Sequence, residues 1–396
     1  MERLRARLEA GEAVVAGVLS GTSADGIDVA IVRPGPGAGA LDACLAFATR
    51  PWPGELGARV RAVLDGAEPR LRELALLHRD LGRACGAAAR EVADASGLAL
   101  DLVGSHGQTV WHHDAREPSG PATLQLGDGD QVAEAAGCPA VSDFRQRDVA
   151  AGGEGAPLVA LVDELMFPDL ERPAAVLNLG GMANLTVLHG PGVAAPPGAD
   201  LEAYDTGPAG SLLDGLARAA LGEPFDRGGS AALEGRARPE LVAELLGHPF
   251  LRKEPPKSTG RDTFGASWVE DVRARAAELD PPLTGAADLL ATGVEFVARS
   301  VADALGAFGP AGLRRVVLCG GGVHNRALVA ALERCLAPCL APGGAVVGSA
   351  ALGIEPDARE AIGFALLAAR TALGLPSTHP GATGARAGRC LGKLSP

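Results

Sequence analysis

A chain of 396 residues is long enough for two domains with sizeable cores, and its formal net charge of −12 argues against nucleic-acid or anionic-membrane binding through bulk electrostatics. Hydrophobic residues make up 47% but aromatics only 3%, so the core has to be built from alanine, valine and leucine, which suits an α/β protein. The main partner expected is a small molecule, for which a local basic pocket remains possible. Seven cysteines, at 44, 85, 138, 319, 335, 339 and 390, include no CxxC pair. They read as buried small hydrophobes in a reducing cytosol, not as a disulfide framework or a zinc site. The opening MERLRARLEAGEAV is charged and helix-prone, no apolar h-region follows it, and no charge-free apolar run of ~18 residues occurs. A soluble, cytoplasmic protein without signal peptide or transmembrane helix is expected.

In chain order, the apolar runs Ala13 to Leu19 and Ile27 to Val32 flank small and acidic residues and predict a β-hairpin with its tip around Ser20 to Gly26. Gly21 and Gly26 permit close backbone approach, and Thr22 and Ser23 add hydroxyl donors, so the tip can wrap phosphate oxygens. Asp25 and Asp28 could then hold Mg²⁺, which is usually bound by one or two carboxylates plus substrate phosphates. An ordinary Gly/Ser/Asp turn is the alternative, and the helix-opening P-loop pattern is absent. Leu41 to Ala48 predicts a third strand, Leu56 to Leu64 and Arg70 to Ala95 predict helices, and Leu100 to Ser105 a short strand entering the turn GSHGQTVWHHD. His106 stands there between two glycines at the carboxyl end of a strand, where α/β folds place ligands.

Thr123 to Leu126, a helix over Asp130 to Ala136 and a strand over Pro139 to Val141 lead into SDFRQRDVAAGGEGAPLV. Its arginines suit a carboxylate or phosphate beside a flexible glycine connector, with a solvated, ion-paired loop as the alternative. VLNLGGMANLTVL then repeats the strand, small-residue turn, strand plan of residues 13–32, which suggests a duplicated architecture. AYDTGPAGSLLDGL ends a strand at Thr206 and starts a helix near Ser211. Asp205 at that junction is a candidate general base, or a turn-capping aspartate. Gly222 to Ala231 reads as a loop and Pro239 to Leu246 as a helix. PPKSTGRDTFG places Lys257, Ser258, Thr259 and Arg261 on a loop that contacts a ligand or merely crosses the surface. A long helix over Ala286 to Phe308 precedes the strand Arg315 to Cys319 and the triple glycine 320–322, against which a flat ring or a phosphate could lie. A closing helix over Asp357 to Leu373 carries Glu360 in its first turn.

The motifs SGTSADGID, GSHGQTV, LQLGD, DFRQRDVAAGGEGAPL, LNLGGMANLT, DTGP…LLD, PKSTGR, CGGGVHN and GIEPDAREAIGFA, in this order from about residue 14 onward, resemble the anhydro-N-acetylmuramic acid kinase family. That family sits in the superfamily of sugar kinases, actin and heat-shock chaperone ATPases. The resemblance implies a duplicated, ribonuclease H-like fold of two lobes around a deep nucleotide and substrate cleft, the first lobe over 13–142 plus 375–396 and the second over 143–374. It implies ATP and Mg²⁺ as cofactors and a hydrolytic phosphoryl transfer. Water adds at C1 of 1,6-anhydro-N-acetylmuramic acid, the 1,6 bond breaks, and O6 takes the γ-phosphate, in peptidoglycan recycling. The family's base falls on Asp205 and its second substrate-side carboxylate on Glu360. Its phosphate hairpin falls on Ser20, Gly21, Thr22, Ser23, Ala24, Asp25, Gly26 and Ile27, with Asp25 and Asp28 toward the metal. Gly180, Gly181, Gly320, Gly321 and Gly322 fall to the nucleotide, and His106, Gln108, Arg145 and Asn184 to the substrate. A homodimer without nucleic-acid or membrane partner is implied as well. The chain departs from the family at Ala209-Gly210, where DTGPGN is usual, at Ala24 in place of leucine, and at Asp163 in place of a common histidine. Two other readings are an ordinary hexosamine kinase, in which Asp205 deprotonates a hydroxyl, and a nucleotide-gated binding or scaffold protein.

Overall fold

A computed structural model describes residues 1–21, 26–113, 120–190 and 201–396. The expected tip residues Thr22, Ser23, Ala24 and Asp25 lie outside them. The chain divides into two units, residues 1–169 with 358–396, and residues 170–357.

In unit 1, β1 (Val15–Leu19) runs antiparallel to β2 (Ile27–Pro34), and β2 to β3 (Leu41–Arg50). β4 (Leu102–Ser105) then joins β1 in parallel. A separate hairpin of β5 (Gln108–His113) and β6 (Ala122–Leu126) follows, so the stretch expected as a turn is in part a strand. Its Thr109, Val110 and Trp111 are good strand formers once a partner strand is present. β7 (Ala140–Ser142) extends the sheet beyond β4. Alternating apolar residues of β1 and β2 meet Leu77, Leu81, Ala88 and Val92 of the helix Leu71–Ala95 in one core.

Unit 2 repeats this plan with β8 (Ala174–Leu179), β9 (Met182–Leu188), β10 (Leu201–Pro208), β11 (Leu313–Cys319) and β12 (Leu340–Gly348), in the order β10-β9-β8-β11-β12. The C-terminal β13 (Lys393–Ser395) returns to unit 1 beside β7, giving β13-β7-β4-β1-β2-β3. Setting β13 aside, each sheet is an antiparallel meander of three strands followed by two parallel ones. The duplication expected from the two hairpin motifs is therefore present in the strand order, and the fold is α/β. The helix Ala286–Phe308 packs on the second sheet, burying Phe296, Val297 and Val301.

The boundaries fall at 169/170 and 357/358, not at the expected 142/143 and 374/375. The reason is the helix Arg359–Ala372, which lies directly on β1 and β4. A Cβ at Gly17 would stand 1.8 Å from the Ala361 carbonyl oxygen, and one at Gly104 2.2 Å from that of Phe364. Only glycine permits that approach. The stretch after β7 also joins unit 1, and it is not a free connector. Gln146–Ala150 is a helix, and the fully buried Asp148 accepts hydrogen bonds from Gly155 N at 2.8 Å, Thr378 Oγ1 at 2.8 Å and Thr383 Oγ1 at 2.7 Å. All seven cysteines are free, but only Cys85 and Cys319 are buried, so the expected burial holds at those two alone. Among the described residues no helix is long and apolar enough to cross a membrane.

Helix Arg359–Ala372 is anchored at its first residue by a buried ion pair. Arg359 Nε and Nη2 donate to the two carboxylate oxygens of Asp163 at 2.7 and 2.5 Å, with side-chain exposures of 1% and 0%. Removing one charge strands the other away from water. Asp163→Ala is expected to lower unfolding stability by about 3–5 kcal/mol, and the double change of Asp163 and Arg359 to leucine by less. Urea denaturation of the three proteins checks this; equal losses would mean that the pair acts only through packing.

Candidate functional site

Unit 1 gathers three of the four residues expected to face the substrate, His106, Gln108 and Arg145, while Asn184 lies in unit 2. β4 ends in Ser105, and His106 and Gly107 turn the chain into β5, where Gln108 begins. Gln108 is buried and its Nε2 donates to Gly21 O at 3.4 Å, holding the start of the hairpin tip. Among the described residues, the hydroxyl of Ser20 and Oε1 of Gln108 are buried without a hydrogen-bond partner, at the start of the hairpin. Ile27 and Gly26, on the far side of the tip, are buried. Asp28 accepts from Thr49 Oγ1 at 2.6 Å across β2 and β3.

Arg145 follows β7. Its Nε donates to His106 Nε2 at 2.9 Å and its Nη1 to Gly155 O at 2.6 Å. Burial pulls its pKa down to about 10, against the opposing pull of the Glu360 and Asp148 carboxylates. Glu360 is thus brought to Arg145 by the helix that packs on β1 and β4. His106 is 4% exposed, lies 4.6 Å from the Phe364 ring, and is held neutral, its pKa pushed well below the ordinary value by burial and by the Arg145 charge.

Unit 2 gathers a second group. Asn178 on β8 pairs with Asn184 on β9, and Asn184 with Asp205 on β10, which puts three polar side chains in one row across the sheet. Asn178 escaped the sequence reading, although a lone asparagine inside the otherwise apolar, fully buried AAVLNL is a usable signal. A bulge between Asp205 and Gly207, with Gly207 at φ +143°, turns the chain just past the acid. The Gly180 and Gly181 carbonyls accept the N–H groups of Gly210, Ala209 and Ser211 at 2.9, 2.9 and 3.0 Å. The glycine turn is thereby tied to the start of the helix Gly210–Leu221. Gly320 and Gly322 are glycines for packing, since a Cβ would lie 2.7 Å from Asn178 Oδ1 in the first and 2.6 Å from Leu179 Cβ in the second. Only Gly321 of the three is open. Beside that turn, Leu318, Val323, His324, Val346, Gly348 and Pro356 line a cavity of about 330 Å³.

Asp205 is held by the segment expected as a loop of open function. Its Oδ2 accepts from Thr259 N at 2.8 Å and from Ser258 Oγ at 3.2 Å, while its N–H donates to Lys257 O at 3.0 Å. That segment does not merely cross the surface, because Lys257 is 4% exposed. Its ammonium donates to Leu251 O at 3.0 Å and lies 5.1 Å from the ring centroids of both Phe250 and Phe308.

Unit 2 thus holds a carboxylate, Asp205, fixed by a strap, and unit 1 a part-buried arginine, Arg145, beside a buried histidine. The sequence pattern of the anhydro-N-acetylmuramic acid kinases matches residues 13–396. The chain belongs to the anhydro-N-acetylmuramic acid kinase family. Proteins of that name from Gloeobacter violaceus and Xanthomonas oryzae pv. oryzae are 40% and 41% identical to it over 384 residues, covering 96% of this chain and 98% and 96% of theirs. One from Salinibacter ruber is 38% identical over 407 residues, covering 100% of this chain and 99% of its own. Among solved structures, the activator of the 2-hydroxyisocaproyl-CoA dehydratase from Clostridium difficile with bound ADPNP is 16% identical at a TM-score of 0.41, covering 91% of this chain and 95% of that one. A ROK family glucokinase from Streptomyces griseus in complex with glucose and AMPPNP is 15% identical at 0.37, covering 90% and 99%. The anhydro-N-acetylmuramic acid kinases are phosphotransferases with an alcohol acceptor, so this chain is an enzyme and not a scaffold.

Lys257 gives the family member a pH signature. Burial pulls its pKa down to about 8, with Lys253 adding to the shift and Asp205 opposing it. As pH rises through that value the positive charge is lost, which weakens the hydrogen bond to Leu251 O and removes the attraction to the two rings. The rate is expected to fall on an alkaline limb near pH 8 that disappears in Lys257→Met. Stability moves the other way. Between about 8 and the ordinary 10.5 the unfolded lysine holds a proton that the folded one has lost, so unfolding becomes harder as pH rises. A kcat profile and thermal unfolding from pH 6 to about 10 check both signs; a limb that persists in Lys257→Met assigns it to another group.

Proposed function

We propose that the chain is an ATP-dependent hydrolytic kinase that converts 1,6-anhydro-N-acetylmuramic acid, ATP and water to N-acetylmuramic acid 6-phosphate and ADP, with Asp205 as general base. The observation that carries this is the clamp on Asp205, whose Oδ2 accepts from Thr259 N and Ser258 Oγ, because a general base works only at a fixed distance from the proton it removes. In the anhydro sugar O6 is bonded to C1 and has no proton to give. The proton comes from water. As the water oxygen bonds to C1, the C1–O6 bond breaks and O6 attacks the γ-phosphorus, displacing ADP. Asp205 takes one water proton, and the other stays on the new anomeric hydroxyl.

Arg145 is assigned to the lactyl carboxylate, the anionic group that distinguishes muramic acid from glucosamine, in a protein whose overall charge is negative. Glu360 is the second substrate-side carboxylate, acting on the same arginine. The adenosine is assigned to the Gly320–Gly322 turn and the phosphates to the hairpin tip, beside Ser20 Oγ and Gln108 Oε1, which have no hydrogen-bond partner among the described residues. Mg²⁺ would be carried in on the phosphates. Asp28, on β2 just past the tip, would take it directly or through water, since Mg²⁺ is usually bound by one or two carboxylates plus substrate phosphates. Bound there, it would neutralise charge on the phosphate oxygens. A cytoplasmic, homodimeric enzyme is the state that the family likeness supports. Curated relatives named for the anhydro sugar over 96% of the chain disfavour the ordinary hexosamine kinase.

Asp205→Asn keeps the shape of the clamp and removes the basic oxygen. It is expected to lower kcat ~10²–10⁴-fold with nucleotide affinity close to wild type. In ¹⁸O-water the wild-type product, analysed before anomeric exchange, should carry one label at C1 and none in its phosphate. Label in the phosphate would mean that water attacks phosphorus. Failure on the anhydro sugar together with brisk phosphorylation of a free hexosamine would replace this reading by the ordinary kinase.

A further inference from the structure

His106 was expected to touch substrate, and its surroundings give it other work. Both ring nitrogens are committed inside the protein: Nε2 is 2.9 Å from Arg145 Nε and Nδ1 3.0 Å from Gly107 O. Arginine Nε carries only a donor, and a guanidinium keeps its protons, so Nε2 has to accept. Gly107 O is an acceptor, so the ring proton sits on Nδ1. The tautomer follows from its two neighbours. The ring cannot turn away, since it is 4% exposed and lies 4.6 Å from Phe364, which itself lies 5.3 Å from Phe144.

On the arginine side, Nε is held by His106 and Nη1 by Gly155 O at 2.6 Å. Two fixed acceptors on two edges of a planar group leave its plane no freedom. Nη2 makes no hydrogen bond among the described residues and is the donor left for a ligand. A protonated imidazole would face the Nε–H with a second N–H and push the guanidinium out of that plane. Groups facing this pair are the Glu360 and Asp148 carboxylates around the arginine and His112 beyond the ring.

We propose that His106 is a positioning residue: a permanently neutral acceptor that sets the plane of Arg145 and thereby the preference for an anionic sugar, without touching substrate or moving a proton. This rests on the assignment of Arg145 to the lactyl carboxylate, and the test separates the two. KM and kcat are measured for Arg145→Met, His106→Ala, His106→Gln and the double variant Arg145→Met with His106→Ala, on the anhydro-muramic substrate and on its amide analogue. Arg145→Met should raise KM for the carboxylate substrate and barely change the amide.

His106→Ala should raise the carboxylate KM about tenfold, the scale of one hydrogen bond to a charged group, with kcat within twofold and the amide little affected. It should add nothing to Arg145→Met, and His106→Gln, whose amide oxygen can accept, should recover part of the loss. In ¹⁵N spectra of the wild type, the His106 ring should remain the Nδ1–H tautomer down to pH 5. Additive losses, a fall in kcat, equal losses on both substrates, or a ring that protonates near pH 6 would each overturn the proposal. If Arg145→Met proves indifferent to the carboxylate while the two changes still fail to add, only the carboxylate assignment falls. His106 then positions Arg145 for another anion.

Discussion

Unit 1 depends on one close contact, the helix Arg359–Ala372 lying on β1 and β4 through Gly17 and Gly104. Side chains at those positions would collide with the helix backbone, so the helix either sits at that depth or does not pack there at all. At that depth it places Phe364 against His106, brings Glu360 to Arg145, and buries Arg359 against Asp163. The candidate substrate residues of this unit therefore share a support that is distant from them in sequence. Charge burial is costly, and the Asp163–Arg359 pair is acceptable because the Nε–Nη2 edge of the guanidinium meets both carboxylate oxygens.

In unit 2 the equivalent support is a lysine. The chain has nine phenylalanines, three tryptophans and one tyrosine, and it concentrates several of them around the strap that holds Asp205. Phe250 and Phe308 face the Lys257 ammonium, Tyr204 meets Phe308 edge-on, and Phe264 and Trp268 extend the cluster. A desolvated cation over aromatic faces gives direction to a loop that is otherwise rich in proline and glycine. Asp205 then receives its hydrogen bonds from a segment with a defined position. The departure from the usual family loop is accommodated beside it. Ala209 stands just before the helix Gly210–Leu221, and Gly210 occupies the spot where a Cβ would come within 2.9 Å of Gly180 O.

Much of this was legible in the residues alone. The apolar runs, helical spacing and turn chemistry predicted the strands of both hairpins and the helices Leu56–Leu64 and Ala286–Phe308 because each is specified by neighbours within a few positions. The repeat of the hairpin plan exposed the duplication for the same reason. Asp205, Arg145 and Glu360 could be singled out as acids and bases at strand ends or helix starts. What each one touches could not be read, since its partners lie tens to hundreds of residues away.

The sequence by itself determined the fold class and the duplicated order of elements, and it named the candidate site residues, because local propensity and motif spacing act over short stretches. Tertiary structure alone decided that residues 143–169 and 358–374 belong with unit 1, that Asp148 and Lys257 are buried supports, and that His106 faces an arginine. Those outcomes come from backbone approach across glycines and from the need of every buried charge to find a partner, and both are conditions on distance in space that no local pattern records.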